Sequence, residues 1–141
     1  MTKYIEEHAF TFDGSFDEHC SNEYVYERTV KPLVNFSFEK GNVTCFAYGQ
    51  TGSGKTHTMI GNSAKKVDGL YILAARDIFA KLETPEFEKL GILVSYFEIY
   101  CGKLYDLLNK KELLHARVDA KQRVNIVGLK QYKVDGVDAL M

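Results

Sequence analysis

The sequence is short of most features that would give a quick answer. It has no tryptophan, two prolines and three cysteines in 141 residues. Cys20, Cys45 and Cys101 are odd in number and widely spaced, and no C-x-x-C occurs. A disulfide framework is therefore excluded, and a reduced thiol is the expectation at each site. Cys45 and Cys101 lie in apolar runs, which predicts burial. His8, His19, His57 and His115 are scattered, with no two at metal-ligand spacing, so no structural metal centre is expected. No stretch of 18 apolar residues is present, so no membrane span is expected. The first eight residues are mixed and acidic, so no secretory or transit segment is expected there. The net charge is −1, which argues against a nucleic-acid binder working through its whole surface. No internal repeat or low-complexity tract interrupts the chain.

What remains is an ordinary globular composition, 45% hydrophobic and 26% charged, sized for one domain. Its patterning alternates strands with helices. Phe10 and Phe12 alternate with Ala9 and Thr11, predicting a short strand over 8–12. Ser21 and Asn22 are helix-start residues, and Tyr24, Val25, Thr29, Val30, Leu33 and Val34 follow at helical spacing. Pro32 must kink or split that helix, and Gly41-Asn42 closes it. Residues 43–48 form a continuous apolar run, predicting a strand buried on both faces as in a parallel sheet. A helix is expected over 55–60, a polar loop over 61–69 and a second helix from Leu70 to Leu82, ended by Thr84-Pro85. Residues 92–101 read as one long strand, with shorter strands at 123–127 and 131–134.

One segment carries chemistry. Gly49-Gln50-Thr51-Gly52-Ser53-Gly54-Lys55-Thr56 fits G-x-x-x-x-G-K-[ST]. Glycines let the backbone take positive φ and turn its N–H groups toward phosphate oxygens. A lysine supplies a mobile charge for the β- and γ-phosphates, and a threonine hydroxyl is a hard ligand for Mg²⁺. The helix that follows points its positive end at the same anion. A chance match in a chain this long has a likelihood of roughly 0.5%. The loop alone does not hydrolyse, because hydrolysis also needs a second acid on the Mg²⁺ side and a group that positions water. Glu98 and Asp106 are candidates by elimination only. Glu98 reads more simply as a satisfied strand carboxylate, and Asp106 as the cap of the next helical turn. No catalytic residue is assigned.

The sequence from Phe46 to Met59, Phe-Ala-Tyr-Gly-Gln-Thr-Gly-Ser-Gly-Lys-Thr-His-Thr-Met, resembles the nucleotide-binding segment of kinesin motor domains. Phe12-Asp13 with Phe16-Asp17, and Asn22-x-x-Val25-Tyr26, resemble the family's approach to its first helix. Tyr96-Phe97-Glu98-Ile99-Tyr100 and Leu104-Tyr105-Asp106-Leu107-Leu108 resemble its central strand and the turn after it. The resemblance covers residues 4–137. Three stretches are similar to the kinesin-13 class of microtubule depolymerisers: residues 2–8, Lys31-Pro32-Leu33-Val34, and Gly69-Leu70-Tyr71 with residues 75–79. The family's motor domain is longer than this chain. Its R-x-R-P, N-x-x-S-S-R and D-L-A-G-S-E segments do not occur here, and Cys101 stands where the family usually has a polar residue. Lys66-Val67-Asp68 spells the K-V-D of the class's loop tip but in a different loop, so that role is not carried over.

The resemblance implies an α/β fold, a three-layer αβα P-loop NTPase of kinesin motor type. Here it would be a partial domain with a central, mostly parallel or mixed sheet. It implies ATP or ADP with Mg²⁺ at Gly49, Gln50, Thr51, Gly52, Ser53, Gly54, Lys55, Thr56 and His57, Thr56 being the Mg²⁺ ligand. It also implies a microtubule-driven ATPase, a location on cytoplasmic microtubules and the spindle, and tubulin contact through about 109–133. Charge supports that last point independently. Residues 109–133 hold seven cations against two acids, a local net of +5, which leaves −6 for the rest of the chain. Lys110, Lys111, Arg117, Lys121 and Arg123 are the expected tubulin contacts, Arg123 first among them. A half-motor is expected to bind nucleotide weakly without turnover, and its open sheet edges favour self-association. Two alternatives stand beside this reading. One is a tubulin-binding fragment that does not hydrolyse ATP. The other is a small P-loop phosphotransferase, which needs several arginines closing on phosphate, whereas Arg28, Arg76, Arg117 and Arg123 are far apart.

Overall fold

Residues 6–20 form no helix or strand. In a computed structural model describing residues 6–140, the segment 8–12 forms no strand, and Phe10 and Phe12 are exposed. Period-two alternation gives a strand only where a neighbour accepts its ladder hydrogen bonds, and no described strand lies beside it. The first described helix starts behind Ser21, whose hydroxyl accepts the Tyr24 amide at 3.2 Å and caps α1 (Asn22–Thr29). Pro32 splits the helical run as a first-turn residue of α2 (Lys31–Phe38). Val30 serves both helices. Its amide reaches Tyr26 O and its carbonyl takes the Val34 amide, each at 3.0 Å. Tyr26, Val30 and Val34 recur every fourth residue, so one buried face continues across the break. Behind α2 the left-handed residue is Lys40 (φ 66°), not Gly41. Gly41 is needed for close approach instead: a Cβ there would lie 2.7 Å from the Phe36 carbonyl oxygen.

Residues 43–48, expected as a buried strand, form none, and Phe46 and Tyr48 stand 79% and 95% exposed. An apolar run buries itself only between layers, and no described strand pairs with it. After the glycine-rich loop come α3 (Lys55–Met59) and a ribbon where a loop was expected. In the ribbon, β1 (Gly61–Asn62) runs antiparallel to β2 (Val67–Asp68) across a 3₁₀ turn, Ser63–Lys65. Helix α4 (Leu70–Leu82) lies where its periodicity placed it and buries Leu70, Ile72 and Ala75. Full burial of such side chains contributes about 1.5–3 kcal/mol each for the larger ones.

The chain clusters into two compact units, one running through Asp77 and the other starting at Ile78. In the second unit the expected long strand 92–101 is interrupted. β3 (Ile92–Val94) pairs with β8 (Tyr132–Val134), while β4 (Phe97–Tyr100) pairs with β5 (Lys103–Asp106). The two halves serve different partners, and between them Tyr96 O accepts the Leu107 amide at 2.9 Å. β6 (Glu112–Val118) and β7 (Val124–Val127) complete the order β4-β5-β6-β7. Every strand pair among the described residues is antiparallel. Cys101 is exposed rather than buried. It and Gly102 are the two central residues of the β4–β5 turn, with φ of 49° and 74°, as a twist-matched hairpin requires. Cys45 is exposed as well, because its segment is unpaired.

Candidate functional site

The loop 49–56 has the geometry its glycines anticipate. Gly49, Gly52 and Gly54 have φ of 156°, 82° and 90°. Gly54 is the left-handed N-cap of α3, a position where a side chain carries a backbone penalty of about 1–2 kcal/mol. A Cβ on Gly49 would fall 2.5 Å from Ser53 Oγ, so the loop closes on itself there. The Ser53 amide turns back to Gln50 O at 3.2 Å. Lys55 Nζ donates to the carbonyls of Gly49 (2.9 Å) and Gln50 (2.8 Å), which holds the ammonium group beside the loop. Gln50, Thr51, Thr56 and His57 are solvent-exposed. The loop therefore offers backbone amides, an ammonium and a threonine hydroxyl in one short, open stretch, which is the donor set a magnesium polyphosphate takes.

Behind α3 lies a contact that patterning did not single out. Asn22 is buried, and its side-chain amide donates to His57 O (2.8 Å) and Asp68 O (2.9 Å). It reads in the sequence as a helix-start residue. Ser21 does that work, which leaves the Asn22 carboxamide free for long-range bonds. The same unit is braced by Tyr26 Oη to Asp77 (2.7 Å) and by the Arg76–Asp68 pair at 2.5 Å. Burial, and then the hydrogen bond to Asp77, push the Tyr26 hydroxyl above the ordinary tyrosine range.

The basic stretch forms the β6–β7 hairpin and its flanking turns. Lys111 pairs with Glu98 at 3.2 Å, so Glu98 is a satisfied strand carboxylate as expected. Arg123 is tied within its own turn to Asp119 at 2.8 Å. Asp119 also accepts the amides of Arg123 (2.9 Å) and Lys121 (2.8 Å); the Arg123 amide foremost, then the Arg123 side chain and the Lys121 amide, hold its carboxyl below the usual carboxylate range. Lys110, Arg117 and Lys121 are exposed and have no ion pair among the described residues. They are therefore cleaner probes of an acidic partner than Arg123.

Asp106 departs from its expectation. It caps no helix. It ends β5, is fully buried, and accepts the Leu108 amide on Oδ1 and the Lys130 amide on Oδ2, each at 2.9 Å. It thereby joins the turn entering β6 to the turn leaving β7. Strand alternation through Leu104 and Tyr105 was the signal available for that placement. Among the described residues no group of three or more His, Cys, Asp and Glu side chains could hold a metal. None of the described helices is long and apolar enough to cross a membrane.

Comparison with known proteins bears on the whole chain. The family model "Kinesin motor domain" matches residues 1–141. Kinesin-like protein KIF24 of Homo sapiens is 52% identical over 142 aligned residues, covering 100% of this chain and 10% of the human protein. The Mus musculus KIF24 is 50% identical with the same coverage. The chain thus spans about a tenth of the length of these curated relatives. A solved structure of a fast kinesin, described in terms of ATPase mechanism and interactions with microtubules, superposes with a TM-score of 0.82 at 31% identity, over 93% of this chain and 38% of that one. The fold is accordingly the mixed α/β fold of a kinesin motor, present in part, and the chain belongs to the kinesin motor-domain family.

Proposed function

We propose that this chain is the phosphate-binding part of an ATP-driven microtubule motor or depolymerase, and that it also carries part of the tubulin-binding surface. The observation that supports it most is the loop 49–56, with positive φ at three glycines and Lys55 Nζ beside it. The residues suit a magnesium nucleotide in kind. Amides of Gly52–Thr56 and the Lys55 ammonium would hold the β- and γ-phosphates, the Thr56 hydroxyl would bind Mg²⁺, and Gln50, Thr51 and His57 would line the approach. Bound Mg²⁺ would neutralise phosphate charge. Lys55 would then exchange its bonds to Gly49 and Gln50 for phosphate oxygens. The 141 residues contain none of the family's N-x-x-S-S-R or D-L-A-G-S-E sequence, so turnover by this chain alone is not expected.

The β6–β7 hairpin would dock on tubulin through Lys110, Arg117 and Lys121, with Lys111 and Arg123 behind their ion pairs. An acidic polymer suits its local charge of +5, carried by seven cations and two acids. The similarity of residues 2–8, 31–34, 69–71 and 75–79 to kinesin-13 favours the depolymerase form and a place on spindle microtubules.

Titration of the chain with a fluorescent ATP analogue tests the reading. Saturable binding that needs Mg²⁺ is expected. Lys55→Ala should abolish it and Thr56→Ala should remove the Mg²⁺ dependence. Equal binding by Lys55→Ala refutes the loop assignment. Co-sedimentation with microtubules indifferent to ATP would favour a non-hydrolysing tubulin binder, and phosphate release at a motor-like rate would refute the expected lack of turnover.

A further inference from the structure

We propose that Asn22 is a positioning residue for the phosphate loop, an inference that rests on the nucleotide reading above. Asn22 sits at the start of α1, yet both hydrogens of its side-chain amide leave that helix, one to His57 O and one to Asp68 O. These acceptors lie where local hydrogen bonding runs out. The Ile60 amide closes the last turn of α3 onto Thr56 O, and the next carbonyl, that of His57, is taken by Asn22. Asp68 ends β2, and the following amide, Gly69, returns to Ile60 O at 3.2 Å. One buried carboxamide thus ties the start of α1, the end of α3 and the exit of the ribbon.

The reach to the loop is short. α3 has only five residues, and its first two are Lys55 and Thr56. Fixing the carbonyl of His57 fixes the turn that carries both of them. Their distance from a bound phosphate then depends on Asn22, although Asn22 touches no ligand. The side-chain chemistry is demanding. Two donors on one planar group are needed. Aspartate would set a carboxylate against two carbonyl oxygens, and alanine would leave both carbonyls without their donor.

A bond that merely stabilises the unit is the competing role, and Tyr26–Asp77 supplies the control, since it braces the same unit without reaching α3. The test compares Asn22→Asp, Asn22→Ala, Asn22→Gln and Tyr26→Phe in the full chain, each well below its melting temperature. Two quantities are read: affinity for a fluorescent magnesium nucleotide, and amide hydrogen exchange over Gly54–Met59. Asn22→Asp and Asn22→Ala should weaken binding by about tenfold to a hundredfold, the effect of a misplaced group, and speed exchange across α3. Asn22→Gln, which keeps both donors, should recover part of each, and Tyr26→Phe should leave affinity within about twofold of the parent while lowering the melting temperature. If Asn22→Asp does not fold, Asn22→Ala and Asn22→Gln carry the comparison. Parent-like affinity and exchange in folded Asn22 variants overturn the proposal, as does an equal loss of affinity in Tyr26→Phe. If the unmodified chain binds no nucleotide, the nucleotide reading falls. Exchange over α3 then decides the positioning alone, and unchanged protection in Asn22→Asp overturns it.

Discussion

Replacing Asp106 by asparagine should destabilise the second unit far more than its conservative shape suggests. The carboxylate is fully buried and accepts two amides from segments 22 residues apart, Leu108 on one oxygen and Lys130 on the other. Asparagine can keep one of these bonds. Its NH₂ group must then face the remaining amide, leaving two donors opposed in a place without water. A hydrogen bond to a charged group is worth about 1.5–3 kcal/mol net, and a stranded buried donor costs about 1–3 kcal/mol. Because these overlap, the expected loss is about 2–4 kcal/mol, a large share of the 5–15 kcal/mol typical of a domain. Urea unfolding followed by circular dichroism measures the total. Site-resolved hydrogen exchange reads the mechanism: protection should fall first at Leu108 and Lys130. A loss under about 0.5 kcal/mol, or intact protection at both amides, would refute the argument.

Other outcomes follow from the same geometry. Gly61→Ala should lower the melting temperature much more than Gly54→Ala. Both glycines have positive φ, but a Cβ on Gly61 would meet Val67 O at 2.2 Å whereas nothing lies within 4 Å at Gly54; equal shifts would contradict this. Tyr26→Phe should cost about 1–2 kcal/mol through loss of the bond to Asp77. The raised Tyr26 value fixes a sign: its contribution is whole below about pH 10, the unfolded tyrosine value, and disappears as pH climbs through the folded value. The difference in absorbance at about 295 nm between the parent and Tyr26→Phe should therefore show the Tyr26 ionisation appearing only as the fold opens. The depressed Asp119 value has the opposite sense. Its turn should be intact above about pH 4 and open as pH falls through the folded value, seen in the amide resonances of Lys121 and Arg123. Resonances that stay fixed to low pH would exclude the Asp119 bonds.

Local signals were legible and distant ones were not. Ser21 as a cap, Pro32 as a break, Lys55–Met59 as a helix and α4 through Leu82 all follow from residues within a few positions of one another. The glycine-rich loop was legible for the same reason, since its φ values are set by the glycines themselves. The strands misread at 8–12 and 43–48 have the right alternation or apolarity, but a strand exists only through a partner, and a partner is not written in the segment. The interruption at Ser95–Tyr96 has the same cause, since β3 and β4 answer to different neighbours. Read locally, Asn22 and Asp106 are end-of-helix residues, because that is the commonest local use of asparagine and aspartate. Their partners lie 35 and 46 residues away for Asn22, and 24 away for the Lys130 bond of Asp106.

Among the described residues, lysine occupies four of the six non-glycine positions with positive φ, at 40, 66, 110 and 111. Each adopts a backbone shape that asparagine or glycine takes with less strain, by about 1 kcal/mol. At 110 and 111 two such residues stand in a row at the foot of the hairpin. A variant with Asn-Gly there would relieve the backbone at the expense of the Lys111–Glu98 ion pair, and under the docking proposed above it would also shed two cations from the face offered to tubulin. If the proposed docking holds, ease of the backbone and grip on an acidic partner are set against each other at a single bend, and a form of this chain chosen by melting temperature alone would be selected for a weaker hold.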